Sequence, residues 1–170
     1  LIISFSVLVI DGYYQYFSGK NIFGFQMSGT RISSLFGDEL ILGSYLSRLF
    51  PLLFALFLIK NNKKFEIYFL GLLFILVDIL IYMSGERTAF FFLNLSTVFI
   101  IILIKEYQMF RLITFLVAIF CIIIISFNSS NLTARMIVNP AKDMGIIKTS
   151  NKPTIFSPNH DSHIRTAYNM

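Results

Sequence analysis

Residues 67–83, IYFLGLLFILVDILIYM, and residues 88–104, TAFFFLNLSTVFIIILI, are separated only by Ser84-Gly85-Glu86-Arg87. Both runs approach the roughly 20 apolar residues that a helix needs to cross a bilayer core. Asp78 is the one charge in the first run, and the second carries none. Two membrane-length runs joined by so short a polar break read as successive helices that reverse direction at Ser84–Arg87.

The pattern extends outward from this pair. Residues 40–59 form another apolar run, interrupted by Arg48 and Pro51, and residues 112–127 form a further one. Residues 1–10 look like the end of a truncated helix. Residues 11–39 are polar and carry Gly12, Gly19, Gly24, Gly29 and Gly37, so they read as an external loop with irregular backbone. From residue 128 the chain is polar and mixed, a large external loop truncated at 170. The expected fold is all-α: a polytopic transmembrane helix bundle with external loops.

Composition agrees with that expectation. The 170 residues are 56% hydrophobic and 14% charged, with mean hydropathy +0.74, whereas a soluble domain is about 25% charged. The chain opens inside an apolar run, as expected of an internal piece of a longer protein, so the lack of a signal peptide carries no information. Its one cysteine, Cys121, excludes an intrachain disulfide. The net charge of +5 comes from residues flanking the apolar runs and from a basic tail, which suits a membrane surface and not nucleic acid.

Linker charge sets the expected orientation. Lys60-Asn61-Asn62-Lys63-Lys64 and Lys105-Glu106-Tyr107-Gln108-Met109-Phe110-Arg111 hold five basic residues, and cytoplasmic loops carry the Lys/Arg excess. Alternation then sends 11–39, the Ser84–Arg87 break and the segment from 128 to the far side. Arg87 is therefore an arginine on the side where short loops hold few, and it needs an anionic partner. Glu86 is one candidate and a lipid-linked phosphate is another. Arg31, just before the run at 40–59, shares that side. Two arginines can grip a diphosphate with forked, charge-assisted hydrogen bonds that lysine does not reproduce.

Arg48 and Asp78 lie at similar depths inside their runs. A lone charge at a helix centre costs about 2.5–3.5 kcal/mol to insert, so the two are expected to pair. Either they form a structural ion pair or they line a polar cavity that admits a head group, toward which a kink at Pro51 would turn a freed carbonyl. His160 and His163, spaced i, i+3, lack the further ligands of a closed metal site and read as solvated loop residues. Two glycosylation sequons, Asn128-Ser129-Ser130 and Asn131-Leu132-Thr133, matter only in a host that glycosylates exported chains.

Three blocks together resemble the O-antigen ligase / O-antigen polymerase family of bacterial multi-pass glycosyltransferases. Arg31-Ile32-Ser33-Ser34-Leu35-Phe36-Gly37, continuing through Leu42-Gly43-Ser44-Tyr45-Leu46 to Pro51, resembles that family's Arg-x-Ser-x-x-Phe-Gly stretch and the helix it enters. Ser84-Gly85-Glu86-Arg87-Thr88-Ala89 resembles its Ser-x-x-Arg-Thr/Gly-Ala break. Residues 157–170 are similar to the start of the large external loop in one branch of the family.

The resemblance implies an inner-membrane enzyme with its active site facing the periplasm. It would take a glycan from undecaprenyl diphosphate and pass it to the lipid A core or to a growing polysaccharide. Arg31 and Arg87 match the arginines that would hold the donor diphosphate. The family's catalytic histidine, usually followed by Asn, has no counterpart here and is expected beyond Met170; His160 and His163 are not equated with it. No Asp-x-Asp pair is present to hold a divalent ion, so the expected reaction needs no metal or other cofactor. A polymerase of the same family and a transporter of lipid-linked oligosaccharide are the alternatives.

Overall fold

The computed structural model describes residues 1–59 and 64–143. Five longer helices carry the fold: α1 (Ile2–Ser18), α2 (Leu42–Ile59), α3 (Lys64–Met83), α4 (Arg87–Leu103) and α5 (Gln108–Asn128). Short turns follow α5: α6 (Ser130–Thr133), a π-helical turn (Ala134–Val138) and α7 (Asn139–Asp143). Among the described residues there is no strand, only two isolated bridges in the segment between α1 and α2.

α3 and α5 are long and apolar enough to cross a membrane, while α2 and α4 are shorter apolar helices. Their packing is aromatic: Phe50, Phe54 and Phe57 of α2 meet Phe74 of α3, and Phe57 stacks on Phe110 of α5 at 5.1 Å. Large apolar side chains also point outward. Phe91, Val98, Phe99 and Ile102 of α4, and Ile113, Leu116, Phe120 and Phe127 of α5, are all exposed. A surface of that extent is stabilised by hydrocarbon more than by water.

Two boundaries depart from the sequence expectation. α1 does not stop at residue 10 but continues to Ser18, where Gly19 (φ 77) ends it and returns its N–H to Gln15 O. Asp11, Gly12 and Gln15 of the stretch read as a loop lie on one helical stripe with Leu8, which is buried. Gly12 is required for that packing, because a β-carbon there would sit 2.8 Å from Leu80 Cδ1. After α5 the chain is helical to Asp143, so the segment expected as external loop from residue 128 begins as a string of short helices. The remainder of that segment, with His160 and His163, and the Lys60–Lys63 part of the linker lie outside the described residues.

The segment between α1 and α2 is docked on α1 by buried hydrogen bonds. Asp11 Oδ1 accepts the Ile22 N–H (2.9 Å) and Oδ2 accepts the Ser34 hydroxyl (2.7 Å). Gln15 Oε1 accepts the N–H groups of Ser33 and Ser34 at 3.0 and 2.7 Å. The Asn21 side chain donates to Ser34 O and accepts from Phe25 N–H, both at 2.8 Å. Buried polar atoms are stable only when paired in this way, which is why a segment read as irregular loop can hold a single conformation.

Candidate functional site

The turn between α3 and α4 is built by its own backbone. Ser84 N–H bonds Leu80 O, Gly85 N–H bonds Tyr82 O, and the Ser84 hydroxyl donates to Ile81 O at 2.7 Å. Gly85 has φ +70, a left-handed conformation that costs a residue with a side chain about 1–2 kcal/mol. Glu86 follows in extended backbone and opens α4.

The Glu86 carboxylate does not serve its neighbour. Oε1 accepts the Gly43 N–H (2.8 Å), and Oε2 accepts both the Ser44 N–H (3.1 Å) and the Ser44 hydroxyl. These N–H groups belong to the first turn of α2, where the helix has no backbone acceptors of its own and its dipole favours an anion. Both carboxylate oxygens are therefore committed to α2, and the turn is tied to a third helix.

Three arginines converge on the turn. Arg31 Nε donates to Ser84 O at 3.0 Å and its Nη2 to Leu40 O at 3.2 Å. Arg87, exposed, donates from Nε to Arg135 O at 2.8 Å. Arg135, also exposed, donates from Nε to Gly85 O at 2.9 Å. A β-carbon on Gly85 would lie 3.1 Å from Arg31 Cγ and 3.3 Å from Arg135 Nε, so these two side chains flank the glycine. Burial first, and the Arg135 charge second, push the Arg31 guanidinium below its ordinary pKa, while Glu86 opposes them. Arginine starts so high that it stays a cation.

Arg31 and Arg87, singled out in the sequence, are thus brought to one turn. Arg135 was missed. By charge alone it was one of several basic residues in the segment from 128, with Lys142, Lys148, Lys152 and Arg165.

Asp78 does not pair with Arg48. Its carboxylate takes a forked contact from Arg111, Nη1 to Oδ2 at 2.8 Å and Nη2 to Oδ1 at 3.1 Å, and Arg111 Nη2 also donates to Thr97 Oγ1 at 2.5 Å. Arg111 is 0% exposed and Asp78 is 1% exposed. The guanidinium carbon lies 4.5 Å from the Phe50 ring centre. Arg48 is exposed and has no ion pair among the described residues. The expected pairing matched depth along the helices but not direction around them. Arg48 projects away from the buried stripe of Leu46, Phe50 and Leu53 on α2. Arg111, read as a flanking linker charge, is instead the partner, so no Arg48–Asp78 cavity forms.

An open groove of about 390 Å³ lies between α1 and the start of α2, lined by Ile3, Ser4, Val7, Leu8, Leu35, Phe36 and Tyr45; none of the three arginines lines it. Tyr45 adjoins Ser44, the residue that holds Glu86. Among the described residues no group of three His, Cys, Asp or Glu side chains is placed to hold a metal ion. Comparison with family models, with curated proteins and with solved structures returns no match.

Proposed function

We propose that this chain is the donor-binding part of a multi-pass bacterial inner-membrane glycosyltransferase of the O-antigen ligase kind. In this reading the end of the fold bearing the Ser84–Arg87 turn faces the periplasm, and the basic linkers face the cytoplasm. Arg31 and Arg87 hold the diphosphate of an undecaprenyl-linked glycan. The acceptor is the lipid A core or a growing polysaccharide.

The observation that supports the reading is the meeting of Arg31 and Arg87 at one turn. The chemistry asks little more of this region. An acceptor hydroxyl attacks the anomeric carbon, the bond from that carbon to the diphosphate oxygen breaks, and negative charge grows on the leaving diphosphate. Fixed guanidinium groups stabilise that charge without having to reorganise. The hydroxyl proton goes to a base, which the resemblance implies is a histidine.

The test uses the full-length protein in nanodiscs with undecaprenyl-diphosphate glycan and an acceptor. Arg31→Ala and Arg87→Ala should each lower transfer by about 100-fold or more, the scale of losing one preorganised donor at a developing charge. Transfer at the wild-type rate in both variants would refute the reading.

A further inference from the structure

Residues 12–30 carry one charge, Lys20. Within them the end of α1 and the turn that follows leave large apolar side chains in the open: Phe17 is 81% exposed, Phe23 73% and Ile22 63%. Ile22 and Phe23 are the two central residues of a turn closed by the Gly24 N–H on Asn21 O at 3.0 Å. Such positions usually hold Gly, Pro, Asn, Asp or Ser. The turn is not loose. Asp11 holds the Ile22 N–H, and the Asn21 side chain spans Ser34 O and the Phe25 N–H. The N–H groups of Gly19, Lys20, Asn21, Ile22, Gly24 and Phe25 all bond within the protein. Backbone paired in this way can leave water at little cost.

The exposed stripe of α1 leads to this tip. It reads Ile3, Val7, Ile10, Tyr14 and Phe17, and exposed Lys20 follows beyond the helix end. The stripe passes from aliphatic to aromatic to basic over roughly 21 Å of helix, at about 1.5 Å per residue. That is the order in which a helix leaving a bilayer meets hydrocarbon, interface and phosphate. The spacing of four and three would also suit a partner helix, but packing against protein calls for no such order of chemistry.

We propose that the tip is a lipid-binding surface: Phe17, Ile22 and Phe23 insert into the interfacial layer of the bilayer, and the Lys20 ammonium holds a lipid phosphate. The partner is the phospholipid surface, selected by the single cation and by the exposed rings of Tyr14 and Tyr16 beside it. The segment expected to be a loop in water is thereby seated on the membrane at one end. At its other end Arg31 ties it to the α3–α4 turn. The proposal goes beyond the donor-site reading and does not depend on it.

The 170 residues contain no tryptophan. Phe17→Trp and Phe23→Trp each keep an aromatic ring at an exposed position, so both variants should fold. Full-length protein with either substitution is placed in nanodiscs of phosphatidylcholine and phosphatidylglycerol, and the emission added over wild type is recorded. That emission should lie to the blue of tryptophan in water. It should fall by about twofold or more when the lipid acyl chains are brominated near the carbonyl, where interfacial rings sit. Lys20 is tested by brominating one lipid at a time. Beside Phe23→Trp, phosphatidylglycerol should act as though enriched about fivefold over phosphatidylcholine, the worth of one lysine near an anionic surface. Adding Lys20→Gln should remove that preference.

The emission of a water-exposed tryptophan at either position overturns the proposal. So does blue-shifted emission that bromine leaves unchanged, because a second copy or another protein segment then covers the tip. An undiminished preference for phosphatidylglycerol in the Lys20→Gln variant overturns the part given to Lys20. No arm reads glycan transfer, so failure here and failure of the donor-site reading are separate results.

Discussion

Replacing Asp78 with alanine strands a buried arginine. Arg111 would lose its two charge-assisted bonds, at 2.8 and 3.1 Å, and keep Thr97 and the flanking rings of Phe50 and Phe115. Breaking one side of a buried pair costs about 3–5 kcal/mol. That is roughly a hundred- to a few-thousandfold in the unfolding equilibrium at about 1.4 kcal/mol per factor of ten. The assay is reversible SDS unfolding in mixed micelles followed by far-ultraviolet circular dichroism. The double variant Asp78→Leu with Arg111→Met should recover to within about 1 kcal/mol of wild type, because an apolar pair of similar size removes both charges. The cycle should show a coupling of about 2–3 kcal/mol between Asp78 and Arg111. Arg48→Ala should cost within about 0.5 kcal/mol, as an exposed residue does. A cost below about 1 kcal/mol for Asp78→Ala, or a coupling of Asp78 to Arg48 and none to Arg111, would refute the assignment.

Other substitutions test the turn and the docked segment. Glu86→Ala removes the acceptor for two N–H groups at the start of α2 and should destabilise the protein by about 0.5–2 kcal/mol, with faster hydrogen exchange at Gly43 and Ser44. Gly85→Ala should cost about 1–2 kcal/mol for its left-handed backbone. It should also lower glycan transfer in the assay used for Arg31→Ala, since the new methyl group crowds Arg31 and Arg135. Gln15→Leu leaves the Ser33 and Ser34 N–H groups without an acceptor, at about 1–3 kcal/mol each. That loss should appear as raised proteolysis between residues 19 and 41, with α3 to α5 unaffected.

The helices from α2 to α5 were legible because hydrophobic runs are a local property. Residues 40–59, 67–83, 88–104 and 112–127 overlap the observed helices to within a few residues, as run length and polar punctuation allow. α1 was cut short in the reading because Asp11, Gln15 and their neighbours are polar. Only the fold reveals that Ser34 and the backbone of residues 22, 33 and 34 come back to satisfy them. The count of charges by segment singled out Arg31 and Arg87 but not Arg135, which shares its segment with Lys142, Lys148, Lys152 and Arg165.

What the sequence determined alone is the all-helical, strongly apolar character of the chain and the identity of its scarce charges, since these follow from residue type and spacing. Tertiary structure decided which charges meet. Depth along a helix can be counted from sequence, but the direction a side chain takes depends on how the helices are rotated and packed. That rotation turns Arg48 outward and gives Asp78 to Arg111. It draws Glu86 to the start of α2 and gathers Arg31, Arg87 and Arg135 around Gly85.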